Sequence, residues 1–283
     1  MTLKDKTTVT FYNGLNTIGG PMIEVAYGKS HVLFDLGEVY RPELNLPDES
    51  YQTLIQNKLI GDVPNFYDPK ITGKKIDTDR WEHSAAYMSH LHLDHSKAMN
   101  LLAPEIPLYA GPITAHMLPA LNEKGDFLLP AAGHKSNYTR SIIAAEYKKT
   151  IHVGDITLEI WPSDHDAYGA TGLIITTPDT KISYTGDIRL HGYHPDWVHE
   201  YLTASKGCDL FISEATGVSW PEEKNDKDES NKEKVKIIKL AVLGKSLVGK
   251  SALTYRFISD KFPTEHDTTV EDQYKIQLQS KLL

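Results

Sequence analysis

The sequence predicts an α+β fold. A β-rich sandwich flanked by helices occupies residues 1–221, a charged linker 222–235, and a partial α/β unit 236–283. Three observations predict it. Short apolar segments closed by tight turns recur between residues 8 and 213, with helical segments interspersed. One of those segments ends in a dense run of histidines. After Pro221 the chain loses its apolar residues, then restarts as Ile237-Ile238-Lys239-Leu240-Ala241-Val242-Leu243, the pattern of a buried strand.

Taken in order, residues 8–11, 22–27 and 31–35 read as strands, separated by Gly19-Gly20-Pro21 and Gly28-Lys29 turns. A long polar excursion follows over 38–80, with a helix expected at 49–59. Residues 85–89 form an apolar strand, and a helix is expected to start over 96–102. A strand at 107–110 leads to a helix at 112–122, with Pro112 at its start. Strands are expected at 150–153, 156–161, 172–177, 181–185 and 210–213, with turns at Gly154-Asp155 and Pro178-Asp179. The segment 222–236 mixes both signs of charge and reads as a solvated linker or helix face.

Composition narrows the function classes. The chain has 283 residues, 40% of them hydrophobic, enough for a substantial core. Its net charge of −8 argues against a broad basic surface for phosphate backbones, though a local basic groove is compatible. Cys208 is the single cysteine, so no internal disulfide can form, and a reducing cytoplasm fits. Residues 1–10 lack the apolar stretch of a secretory signal, and no run of about 18 apolar residues exists to span a membrane.

The run His90-Leu91-His92-Leu93-Asp94-His95 places three imidazoles and a carboxylate at a strand's C-terminal end. Folding rarely needs that density, whereas zinc-type ions take nitrogen and carboxylate donors at about 2 Å. His90 and His92, two apart in extended chain, point the same way. Asp94 and His95 follow where the chain turns and are placed to serve a second ion. Further candidates stand at other strand ends: His165 in Ser163-Asp164-His165-Asp166, Asp187 in Thr185-Gly186-Asp187, and Asp35 in Phe34-Asp35-Leu36-Gly37. The other histidines, His83, His116, His134, His152, His199 and His266, read as ordinary surface or core residues, and Cys208 as a small buried one.

These motifs, in this order, resemble the metallo-β-lactamase superfamily over roughly residues 8–220. The resemblance implies an αββα sandwich, its C-terminal half incomplete here, with a dinuclear metal site along one edge. It implies that His90, His92 and His165 hold one Zn²⁺, that Asp94 and His95 hold a second, and that Asp187 bridges both. Asp35 would orient a ligand rather than bind metal. True β-lactamases carry cysteine where this chain has Asp187, which steers it from β-lactam chemistry. Segment 209–217, with Glu214, is similar to the acidic motif opening the insertion of the β-CASP branch, which contains nucleases acting on RNA or DNA. Glu214 would lie near the site and orient a metal ligand. The superfamily's last histidine ligand has no counterpart after Gly217, so the second ion is expected to have an incomplete shell. His191 and His194 lie close to Asp187 but do not occupy that ligand's place.

A second motif belongs to another protein class. Gly244-Lys245-Ser246-Leu247-Val248-Gly249-Lys250-Ser251 follows one strand pattern and precedes a helical one, the context of a P-loop. Such a loop cradles phosphates with its backbone, Lys250 neutralising their charge and Ser251 binding Mg²⁺. Residues 237–274 resemble the N-terminal part of a Ras-type small GTPase, which implies GTP or GDP as ligand. Thr269 matches the switch threonine, and Glu271 and Asp272 match effector-contact positions. The second switch and the guanine-reading motifs do not appear before Leu283.

The encoded chemistry therefore reads first as a metal-dependent hydrolase, phosphodiesterase or nuclease-like, using hydroxide generated between two ions. Asp94 and Asp187 are its catalytic carboxylates, Asp94 receiving the water's proton. A lactonase or thioesterase acting on small esters is the alternative within that class. A guanine-nucleotide switch, and a chimera of two truncated domains inactive in both, are the readings from other classes.

Overall fold

A computed structural model describes residues 5–63, 65–74, 82–190 and 192–214. Among these, eleven strands form two sheets. The first has the order β1 (Thr8–Asn13), β2 (Met22–Tyr27), β3 (Ser30–Phe34), β4 (Ser84–Met88), β5 (Leu108–Ala110), β6 (Ile143–Ala144). The second runs β11 (Leu210–Ile212), β10 (Lys181–Tyr184), β9 (Thr171–Thr176), β8 (Ile156–Pro162), β7 (Thr150–Val153).

Connection length decides strand direction. β1, β2 and β3 pair antiparallel through short turns, Gly28 supplying a positive φ of 57° at the β2–β3 hairpin. β3 to β6 pair parallel, each joined by a longer crossover. In the second sheet β7 to β10 form an antiparallel meander, and helix α5 (Pro195–Ala204) returns the chain so that β11 lies parallel to β10.

The layers follow from which faces are apolar. Between the sheets pack Val25, Val32, Phe34, Ala85 and Tyr87 with Ile156, Leu158, Ile160, Leu173, Ile175 and Ile182. β8 reads Ile-Thr-Leu-Glu-Ile-Trp-Pro, and its buried residues alternate accordingly. β4, Ser-Ala-Ala-Tyr-Met, is buried on both faces, as a central parallel strand must be. Outside the first sheet, Leu33, Met88 and Leu108 share a core with Leu54 of α1 (Tyr51–Gln56) and Leu118 of α4 (Pro112–Leu121). Outside the second, Val198, Tyr201 and Leu202 of α5 share a core with Ile174, Phe211 and Cys208. The result is helix, sheet, sheet, helix.

The structure differs from the sequence reading in places. β6, α5 and the one-turn helix α2 (Pro69–Thr72) were not expected. α1 is shorter than 49–59 because Ser50 caps its start, its side chain accepting from Thr53 N–H. The helix expected over 96–102 instead begins earlier, as α3 (Leu93–Ser96), and passes into a 3₁₀ turn at Met99–Leu101. His92, in extended conformation, is the residue before that first turn. The linker and the P-loop unit lie outside the described residues.

Candidate metal centre

The site lies where strand ends of both sheets meet. β4 delivers Ser89 and His90, and α3 carries Asp94 and His95 on its single turn. The loop between β8 and β9 holds His165, and the turn after β10 holds Asp187. Three glycines permit the closure. A Cβ on Gly37 would fall 1.5 Å from the Asp94 carbonyl oxygen, and one on Gly19 2.4 Å from Asp94 Cβ. One on Gly186 would fall 2.7 Å from Ser89 Cβ.

Two donor groups emerge: His90, His92 and His165, and His90, Asp94 and His95, the atoms of each lying within 4.8 Å of one another. His90 Nε2 is 3.2 Å from His92 Nδ1, and His165 Nε2 is 3.3 Å from the same atom. Donors around a tetrahedral ion at about 2.0–2.1 Å stand about 3.3–3.4 Å apart, so this spacing fits a shared ion. Asp187 spans both groups: Oδ1 is 3.1 Å from His95 Nε2, and Oδ2 is 3.6 Å from His165 Nε2. Asp94 Oδ2 is 3.7 Å from His95 Nε2. The donor chemistry and spacing therefore fit zinc-type ions.

Below the donors sits Asp35, fully buried. Its Oδ2 accepts from Ser89 Oγ at 2.8 Å and Tyr184 Oη at 2.5 Å, and lies 2.8 Å from His95 Nδ1. Its Oδ1 accepts from Ser89 N–H at 2.7 Å. Asp35 thus takes the Nδ1 proton of His95 as a hydrogen bond and turns Nε2 toward Asp187. Ser89 Oγ, its own proton given to Asp35, is 3.0 Å from His90 Nδ1 and leaves His90 Nε2 facing His92. Glu214 Oε1 accepts from Ile188 N–H at 3.0 Å, holding the turn that follows Asp187.

Protonation follows burial. Desolvation, reinforced by the imidazoles of His95, His165 and His92, holds His90 well below the usual histidine range, so it is neutral with a free lone pair. Burial also lowers His165, against the opposing pull of Asp187 and Asp166. His95 is the exception. Burial would lower it, but the charges of Asp35 and Asp187 and their hydrogen bonds outweigh that and raise it well above its usual range. Burial pushes Asp187 up, and the histidines around it outweigh burial and bring it down.

Of the residues singled out from the sequence, His90, His92, Asp94, His95, His165, Asp187 and Asp35 converge here. Gly244, Gly249, Lys250, Ser251 and Thr269 lie outside the described residues. Ser89, Tyr184, Asp164 and Asp166 belong to the neighbourhood and were missed. Asp166 Oδ1 is 2.9 Å from His165 Nε2. Ser89 and Tyr184 directly precede the two motifs, yet only burial around Asp35 shows their part. His194 stacks on Trp197, ring centroids 3.9 Å apart. No helix among the described residues is long and apolar enough to cross a membrane.

Comparison with known proteins identifies the family. Residues 78–240 match the family described as beta-lactamase superfamily domain, and residues 239–281 match the Ras family. Over 217 residues the chain is 24% identical to ribonuclease J of Pyrococcus abyssi (strain GE5 / Orsay), covering 73% of this chain and 44% of that protein. Ribonuclease J of Helicobacter pylori (strain ATCC 700392 / 26695) is 25% identical over 232 residues, 76% of this chain and 29% of that one. GTP-binding protein Rit1 of Mus musculus is 58% identical over 40 residues, 14% of this chain and 18% of that protein. The chain thus spans less than half the length of these relatives. A crystal structure of a protein of unknown function from Enterococcus faecalis V583 superposes with a TM-score of 0.72 at 44% identity, covering 78% of this chain and 53% of that one. The chain belongs to the beta-lactamase superfamily, and its residues 239–281 form a short Ras-family segment.

Proposed function

We propose that the chain is a metal-dependent hydrolase of phosphodiesters, nuclease-like and of the β-CASP branch. The observation that carries this is the convergence of two donor groups spanned by Asp187. His90, His92 and His165 would hold one divalent ion, Asp94 and His95 the other, with Asp187 between. Bound there, such ions supply Lewis-acid polarisation of a phosphoryl or acyl oxygen and activation of water. The chain's own residues do the rest. Asp35 and Ser89 fix which nitrogens of His95 and His90 face the site. Asp94, partly open to solvent, receives a proton at its carboxylate. The relatives named ribonuclease J support a nucleic-acid substrate over a small ester.

Metal analysis of the purified protein tests this. About two zinc-type ions per chain are expected, and His165→Ala lowers that content. Metal-free protein under loading conditions would sink the proposal. Assays with a simple phosphodiester and with a lactone separate the substrate classes, turnover of the diester being expected.

The Ras-family match favours a second reading for residues 239–281, phosphate binding at Gly244, Gly249, Lys250 and Ser251 with Mg²⁺ and GTP or GDP. Guanine-nucleotide binding abolished by Lys250→Ala, with metal content unchanged, is the expected outcome. Absence of binding by the unaltered protein removes this reading.

A further inference from the structure

An aromatic ledge borders the metal centre. His194 and Trp197 lie face to face, centroids 3.9 Å apart and planes 11° apart. Tyr168 stands beside both, at 6.0 Å from His194 and 6.3 Å from Trp197. These rings are not all spent on the core: Tyr168 is 57% exposed, and the adjoining Tyr193 is 90% exposed.

The ledge is tied to the metal ligands by short polar contacts. Asp164, buried beside His165, accepts from His194 N–H through its carboxylate at 2.5 Å and from Arg189 N–H through its carbonyl at 2.6 Å. Gly192 permits this approach, since a Cβ there would fall 2.3 Å from Asp164 Oδ2. Glu214 holds Ile188 N–H at the other end of the turn. Arg189 and His194 are therefore pinned to the loop that carries His165. Arg189 adds a cation, its guanidinium 3.8 Å from Asp166 Oδ2, and Asp166 in turn touches His165.

Exposed rings tied by hydrogen bonds to the loop of a candidate metal ligand match one part of how single-stranded nucleic acid is gripped, the stacking of bases on aromatics. We infer that Tyr168, Tyr193 and the His194–Trp197 stack form a base-stacking subsite for single-stranded nucleic acid. This rests on the nuclease-like reading of the metal centre and specifies how its substrate is held. The ledge reads the presence of bases rather than their identity, because every base offers a π-face.

The test compares a single-stranded oligoribonucleotide with an abasic oligomer of equal length and charge, by fluorescence anisotropy on the full chain. The base-bearing strand should bind about tenfold or more tightly than the abasic one, and Tyr168→Ala should erase most of that difference. Tyr193→Ala, at a residue almost wholly in solvent, repeats the test without risk to the fold. Equal affinity for the two strands, or no binding, overturns the inference. Self-association abolished by Tyr193→Ala, without base-dependent binding, assigns the ledge to a second copy and also overturns it. Turnover of a small phosphodiester by the unaltered protein is measured in parallel. Turnover without base-dependent binding removes the ledge alone, whereas base-dependent binding without turnover supports the ledge and removes the catalytic reading.

Discussion

Asp35 sits at φ 58°, in the left-handed region that asparagine and aspartate tolerate better than other side chains. There its carboxylate collects donors from Ser89, Tyr184 and His95 without contact with water. Asp35→Asn keeps the backbone conformation but puts an NH₂ among donors and removes the charge facing His95. Such a loss costs about 3 kcal/mol. It should also weaken metal binding by about 10- to 100-fold, because His95 loses the partner that sets its orientation. Denaturant midpoints and metal titration check the two effects separately. A variant as stable and as metal-avid as the parent would show that Asp35 merely fills space.

At the scale of elements, α3 is one turn long and cannot hold itself in place. Its position comes from backbone contacts: Gly20 N–H donates to Asp94 O at 2.9 Å, and Leu36 N–H to His95 O at 2.8 Å. Gly37 makes room for this, so Gly37→Ala must push α3 away from β3. About 3 kcal/mol of stability should be lost, with part of the metal-binding capacity. Gly73→Ala is the control. That glycine has a positive φ but nothing within 4 Å, so strain of about 1 kcal/mol is its whole expected effect. Equal losses in the two variants, measured by chemical denaturation, would refute the steric account.

Across the molecule, the cores hold tyrosines whose hydroxyls are removed from water. Burial is the largest cause raising Tyr67, Tyr87, Tyr184 and Tyr201 above the ordinary 10.0. A raised folded value means that the native state keeps protons which the unfolded chain gives up. Their contribution is complete below pH 10 and is lost as pH climbs toward the folded values. Arg140, lowered by burial to about 10, works the other way. Stability should hold below pH 10 and fall as pH rises above it. Unfolding midpoints between pH 8 and 11, followed with tyrosinate absorbance, test this. A flat profile would contradict the burial of these hydroxyls.

The sequence by itself determined every described strand except β6, because apolar alternation and glycine turns are local properties. It also determined which residues carry the donors, because His90, His92, Asp94 and His95 are neighbours in the chain and His165 and Asp187 stand at strand ends. The α+β class was legible for the same reason. β6 was not, since two exposed residues carry no periodic signal. Nor was α5, whose apolar positions 198, 201 and 202 had to be read across a polar segment. Only the tertiary structure decided that Asp187 reaches histidines of both donor groups, that Ser89 and Tyr184 join His95 around one buried carboxylate, and that Asp164 ties an aromatic ledge to the metal loop. Those contacts join residues up to 149 positions apart. They exist because two sheets pack face to face and bring their strand ends to one edge, a relation that local propensity does not encode.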